Sequence, residues 1–117
     1  MLNPPPPEIL ARLPRLYATE DVLCPEKVIQ LHFFIGACDW YVAEFDGEDV
    51  FFGFANLGDP INAEWGYFKL SDLAGTEVAA PGVNAETQEL MGFLPVFVEW
   101  DEYWTPKPFG TIAWQRP

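Results

Sequence analysis

The sequence predicts an α+β protein built on a single antiparallel β-meander sheet of about five strands, with one or two short helices against it. Three observations carry this. Between Val28 and Leu70, four apolar, aromatic-rich runs follow one another, each broken by Gly, Asp or Asn. The breaks are short, and one is an Asp-Gly pair between two aromatic runs, which is a hairpin signal. Helical patterning is brief: a stretch after Pro7, a turn after Leu70, and a candidate over Ala85 to Met91.

Residues Met1 to Pro7 end in four consecutive prolines, which favour polyproline II and form a proline-rich arm. Pro7 suits a helix's first turn, and Ile9, Leu10 and Leu13 give the next residues one apolar face. Pro14 ends that helix. Arg15 to Asp21 reads as extended or irregular, and Cys24 to Lys27 as a polar connection. Val28 to Ile35 is the first strand, with Ile29, Leu31, Phe33 and Ile35 on one face and Gln30, His32 and Phe34 on the other. After a Gly36-Ala37 turn, the second strand runs from Cys38 to Phe45. Alternation places Trp40, Val42 and Glu44 on one of its faces. Val50 to Leu57 is apolar on both faces and so is central, with Gly53 marking a bulge or a close backbone approach. Ala63 to Leu70 completes the meander.

Ser71 reads as the N-cap of a short turn ended by Gly75. From Thr76 to Leu90 periodicity does not decide: Pro81-Gly82 reads as a turn and Ala85 to Met91 as a short helix. Leu94 to Trp100 is a last strand, and Thr111 to Trp114 is a candidate for one more within a tail, 106–117, read as loose.

The length suits one domain over residues 1–117, with 28–70 as its core. Hydrophobic residues make up 50% and aromatic residues 16%, enough to build a core without staples. The opening MLNPPPPEIL lacks the charged and apolar regions of a secretory signal. Cys24 and Cys38 therefore read as reduced thiols of a cytoplasmic protein. No apolar run approaches the roughly 20 residues of a membrane span.

Groups able to carry chemistry are few. His32 is the only histidine and makes no metal-binding spacing with Cys24, Cys38, Asp39 or Glu44, so no metal or cofactor is expected. Ser71, the only serine, is accounted for by capping and lacks a nucleophile elbow. Cys38 would need His32 to reach across the hairpin, and its apolar surroundings favour an inert thiol. No phosphate-cradling glycine loop occurs. A small enzyme or ligand-binding module with a pocket near His32, Asp39 and Glu44 stays as the alternative.

Charge is more informative. Eighteen acids against six bases give a net charge of −12, with a pI near 4.1. Such a field repels nucleic acid and anionic membranes and favours basic protein surfaces. Between Lys27 and Lys107, fourteen acids accompany a single base, Lys69. Glu44, Asp46, Glu48, Asp49, Asp59 and Glu64 are the expected partner-binding surface, with Trp40 and Trp65 as aromatic anchors. A negative band of this kind could imitate a row of phosphates. A solvated face that keeps an aromatic sheet soluble would carry the same residues, and would belong to an acidic scaffold with no fixed target.

The strings LARLPRLYATED, HFFIGACDWYVAEFDGEDVFFGFA and AEWGYFKLSDL, with EWDEYWTPKPF later, span nearly the whole chain. In that order they resemble a bacterial domain-of-unknown-function family of short proteins encoded on plasmids, integrative elements and phages. Thr76 to Pro95 is longer and more apolar than the resemblance leads one to expect. The resemblance implies an accessory role on a mobile element, a setting rich in small acidic inhibitors of host restriction or CRISPR systems. The function expected is therefore a non-enzymatic acidic interaction protein of anti-CRISPR or anti-restriction type. It would bind a basic host protein, one of a nucleic-acid-binding complex, by charge mimicry or surface occlusion.

Overall fold

The computed structural model describes residues 1, 3–75, 77–83 and 90–112, with 77–83 and 90–96 described by backbone alone. A short helix, α1 (Pro7–Leu10), leads through a 3-10 turn (Cys24–Glu26) into β1 (Val28–Ile29), β2 (Leu31–Ile35), β3 (Cys38–Phe45), β4 (Val50–Leu57) and β5 (Glu64–Lys69). Helix α2 (Leu70–Gly75) follows, then β6 (Glu77–Val83), β7 (Leu90–Phe97), β8 (Glu99–Trp100) and β9 (Lys107–Pro108). The main sheet is an open antiparallel one of five strands, ordered β5-β4-β3-β2-β8. The meander is thus present, and a late strand joins the outer side of β2. Strands β1 and β9 pair separately, as do β6 and β7.

Each face of this sheet carries a core, and two irregularities decide which residue enters which. Gln30 interrupts the first strand, its N–H bonding the Val42 carbonyl at 2.7 Å. Leu31, Phe33 and Ile35 pack on one face with Val42, Phe45, Phe51, Leu73 and Val98. Ile29, which alternation had placed beside them, belongs instead to the core of the other face, with Tyr41, Ala43, Phe54, Phe109 and Ile112. In β3, Val42 faces Gly53 and Glu44 faces Phe52, leaving Ala43 as a bulge without an opposite number. One extra residue inverts the alternation beyond it. Phe45 therefore joins Val42 in the first core, and Glu44 turns to the opposite face from Trp40 and Val42. Phe33 and Phe51 are fully buried, each stabilising the fold by about 1.5–3 kcal/mol.

Other expectations are corrected. Pro81 and Gly82 lie inside β6, paired with Phe93 and Gly92, so they do not make a turn. The short helix over Ala85 to Met91 falls mostly outside the described residues, and Leu90-Met91 begin β7. The last strand is divided, with Val98 buried between β7 and β8. Ser71 lies within α2, and its cap is Asp49: the Asp49 carboxylate accepts from Ser71 N at 2.8 Å and from Ser71 Oγ at 2.5 Å. The tail is built into the fold as far as Ile112, since Lys107-Pro108 pair with β1 and Phe109 and Ile112 are buried. Phe109–Thr111 is a 3-10 turn, and Ala113 and Trp114 lie outside the described residues. The proline arm is laid on the protein: Asn3 exchanges hydrogen bonds with the Trp100 backbone, donating at 2.9 Å and accepting at 3.3 Å.

Gly53 marks a close approach as well as the bulge. A Cβ there would lie 2.0 Å from the Tyr41 carbonyl oxygen. Gly66 faces Gly53 directly on β5, yet a Cβ there would meet nothing within 4 Å. Urea unfolding should therefore show Gly53→Ala losing about 3 kcal/mol. Gly66→Ala should change stability by less than about 1 kcal/mol, in the stabilising direction. Equal losses at both positions would contradict the bulge geometry.

Candidate functional site

The bulge at Ala43 sends the Glu44 carboxylate into the protein, where the side chain is only 3% exposed. A buried carboxylate must be supplied with donors. Here they come from the turn that follows Pro14. Tyr17 N donates to Oε1 at 2.8 Å and Thr19 N to Oε2 at 3.0 Å, and the Thr19 hydroxyl also donates to Oε2. To aim both amides at one carboxylate, Tyr17 takes φ +70°. That left-handed conformation costs a non-glycine residue about 1–2 kcal/mol. Turns of this kind form backbone nests that hold anions, and here the anion is the protein's own.

Lys27 completes the assembly. It is 5% exposed, and its ammonium donates to the Thr19 carbonyl and, at 3.1 Å, to the Thr19 hydroxyl. Thr19 thus links a buried cation to a buried carboxylate. No carboxylate approaches Lys27 within ion-pair distance among the described residues. Tyr17, Glu20, Lys27, Glu44, Phe52 and Tyr67 surround a cavity of about 240 Å³. The Phe52 ring lies 6.0 Å from the Lys27 nitrogen. The Tyr67 phenol is raised above the ordinary tyrosine range, first by its hydrogen bond with Tyr17, then by burial and by the Tyr17 and Glu44 charges.

His32 belongs to a separate arrangement. Its Nε2 lies 2.7 Å from Asp39 Oδ1 and its Nδ1 lies 3.0 Å from Asp101 Oδ2. Ionised carboxylates only accept, so contact with both defines an imidazolium donating through both nitrogens. Burial depresses the histidine pKa, but the hydrogen bonds and charges of Asp39 and Asp101 outweigh it, and the net shift is upward from 6.5. The ring stacks on Tyr41 at 4.9 Å. The Tyr41 phenol is itself pushed far above its usual range by burial and then by the Asp39 charge. Beside them, Trp104, Lys107, Thr111 and Ile112 help to line a cavity of about 330 Å³. Glu44 does not share it, so His32, Asp39 and Glu44 do not form one pocket.

The acids singled out in the sequence are dispersed. Glu44 is buried and lies on no exposed surface. Asp46 accepts from the backbone N–H groups of Glu48, Asp49 and Val50. The first two of these bonds, chiefly, hold its carboxyl below the usual range. Asp49 caps α2, and Asp59 caps the 3-10 turn Pro60–Asn62, accepting from Ile61 N at 3.1 Å. Glu48 and Glu64 are exposed. Asp46, Glu48 and Asp49 sit at one end of β4, and Asp59 and Glu64 toward the other, about 20 Å away along the strand. They do not make one continuous band. Trp40 is half-buried against the first core, and Trp65 packs into the second, stacking on Phe52 at 5.7 Å.

Sequence reasoning missed Tyr17, Thr19 and Lys27, which lay in segments read as irregular or as a polar connection. Cys38 is half-buried against the first core, and Cys24 is exposed. Among the described residues no group of three or more His, Cys, Asp or Glu is placed to hold a metal ion, and no helix is long and apolar enough to cross a membrane.

The His32 bridge has a definite pH signature. With the folded pKa raised above 6.5, its stabilisation is full below that value and is lost as pH rises through the folded pKa. In urea unfolding, His32→Gln should cost about 2 kcal/mol near pH 6, as for hydrogen bonds to charged groups. The gap to wild type should narrow steadily as pH rises above 6.5 and through the raised folded pKa. A gap independent of pH would contradict the imidazolium bridge.

No curated protein and no solved structure matches the chain. A family model described as protein of unknown function (DUF2958) matches residues 9–93, spanning the nest, the meander and α2. The chain belongs to that family.

Proposed function

We propose that this protein is a non-enzymatic interaction protein that meets a basic partner through the acidic segment from Tyr17 to Glu26. One observation carries this. The segment exposes Glu20, Asp21 and Glu26 together with Tyr17 (62% exposed), Val22 and Leu23 (69% exposed), while the cation that follows, Lys27, is turned inward. Exposed apolar groups among charges of one sign are features of a binding surface. The Glu44 nest fixes the start of that segment, so less ordering entropy is lost on docking.

The groups that would serve catalysis are already engaged. His32 is held at both nitrogens, Glu44 by three donors, and Ser71 by Asp49. Elsewhere on the described surface, Glu8, Glu48, Asp59, Glu64, Asp72, Glu99 and Glu102 are exposed, against Arg12, Arg15 and Lys69 as exposed bases. A field of that sign speeds encounter with a positive partner and rejects nucleic acid. A nucleic-acid-handling protein of a host defence system, whose grooves are lined with Lys and Arg, is the partner class we propose. It accords with the mobile-element setting that the resemblance implies.

The test is capture from a bacterial lysate on the immobilised protein at low and high salt, since screening weakens exposed charge pairs. Wild type should retain a basic protein at low salt only. Combined Glu20→Lys, Asp21→Lys and Glu26→Lys should abolish retention, and Glu48→Lys with Glu64→Lys, at the sheet's two ends, should not. Retention by the first variant, or loss in the second alone, would refute the assignment of the surface.

A further inference from the structure

The cavity beneath Tyr17 holds two buried opposite charges, neither fully used. Lys27 donates two hydrogen bonds, both to Thr19, so its third N–H has no partner among the described residues. Glu44 Oε1 accepts a single bond, from Tyr17 N, and keeps a further lone pair. Both side chains are more than nine-tenths buried, and both line the same space of about 240 Å³. Thr19 bridges the two charges without bringing them into direct contact, and buried charged groups with unused hydrogen-bonding capacity are costly to keep and mark candidate binding sites. The walls add an aromatic floor, Phe52, and two phenols, Tyr17 and Tyr67, that can both donate and accept. Glu20 brings a second carboxylate to the rim. The strained φ of Tyr17 lies at this same place, and such strain gathers at functional sites.

We propose that this cavity binds a small zwitterion of the free α-amino-acid type, its carboxylate on Lys27 and its ammonium toward Glu44 and Glu20. A simple anion would leave Glu44 facing like charge, and a simple cation would face Lys27. A molecule carrying both charges a few bonds apart answers both. Its side chain would lie on the Phe52 ring, and the volume suits one amino acid better than a peptide. The site goes beyond the proposed partner surface and stands without it: the ligand enters under Tyr17, whereas the partner would meet Glu20 to Glu26 from outside.

Thermal unfolding of the whole protein, with each free proteinogenic amino acid added in turn at millimolar concentration, tests the proposal. At least one should raise the melting temperature in a saturable, concentration-dependent way. The same compound with its amine acetylated and its carboxyl amidated should give no shift. Tyr67→Phe, which removes the hydroxyl bonded to the Tyr17 side chain but none of the donors that hold Glu44, should weaken binding about tenfold. Phe52→Trp, which fills the floor, should abolish the shift while the variant stays folded. No shift with any amino acid, an equal shift with the neutral derivative or with glucose, or unchanged binding by both variants would overturn the proposal. None of these results bears on capture of a basic protein by the Glu20 to Glu26 segment.

Discussion

A carboxylate that enters a sheet's interior has to be met by donors, and that requirement shapes one whole flank of this protein. Glu44 faces inward because β3 bulges at Ala43. Once it does, the chain before the sheet must bend so that Tyr17 and Thr19 present their amides, at the expense of a left-handed tyrosine. Thr19 in turn receives Lys27, whose burial fixes the approach to β1. Four residues scattered over the first 44 positions thus form one polar unit. Removing the charge of Glu44 or Lys27 costs about 3–5 kcal/mol, because the other stays buried and uncompensated.

The same bulge accounts for Gly53. The extra residue on β3 pushes the Tyr41 carbonyl toward β4 at the point where no side chain is present. It also sends Phe45 to the first core, while Ala43 stays with Tyr41 in the second. The second core is closed by residues from the far end of the chain, Trp104 to Ile112. They are tied down by the Trp104 indole on the Ile29 carbonyl at 2.9 Å, and by Asp101 on both the ring and the backbone of His32. Two polar anchors, one on the segment before the sheet and one on the segment after it, hold the connecting chain to the meander.

Much of the meander was legible because its signals are local. Alternating apolar residues, the Asp46-Gly47 turn and Gly53 each act within a few positions. The break at Gln30 and the bulge at Ala43 have no local signature, since neither position holds a Gly or Pro. Period-two alternation therefore misplaced Ile29 and Glu44. Pro81-Gly82 carries a turn signal, yet both residues pair across a hairpin. Ser71 has the side chain of a cap, but Asp49, 22 residues earlier, reaches the same amide. The candidate site was less legible still. Asp46, Asp49 and Asp59 count equally in a charge tally, although each is occupied with its own turn or helix. Lys27 reads as one more surface base until the fold buries it.

Burial also decides what the acidity can do. Carboxylates used by the fold add to the field without offering a contact, whereas Glu20, Asp21 and Glu26 are exposed together on the segment that Glu44 positions. The most direct test of that account is native-state hydrogen exchange at the Tyr17 and Thr19 amides. If Glu44 holds them, both should exchange as slowly as the amides of β3, although they lie in an irregular segment. Exchange at the rates of an unprotected loop would show that Glu44 does not fasten this turn.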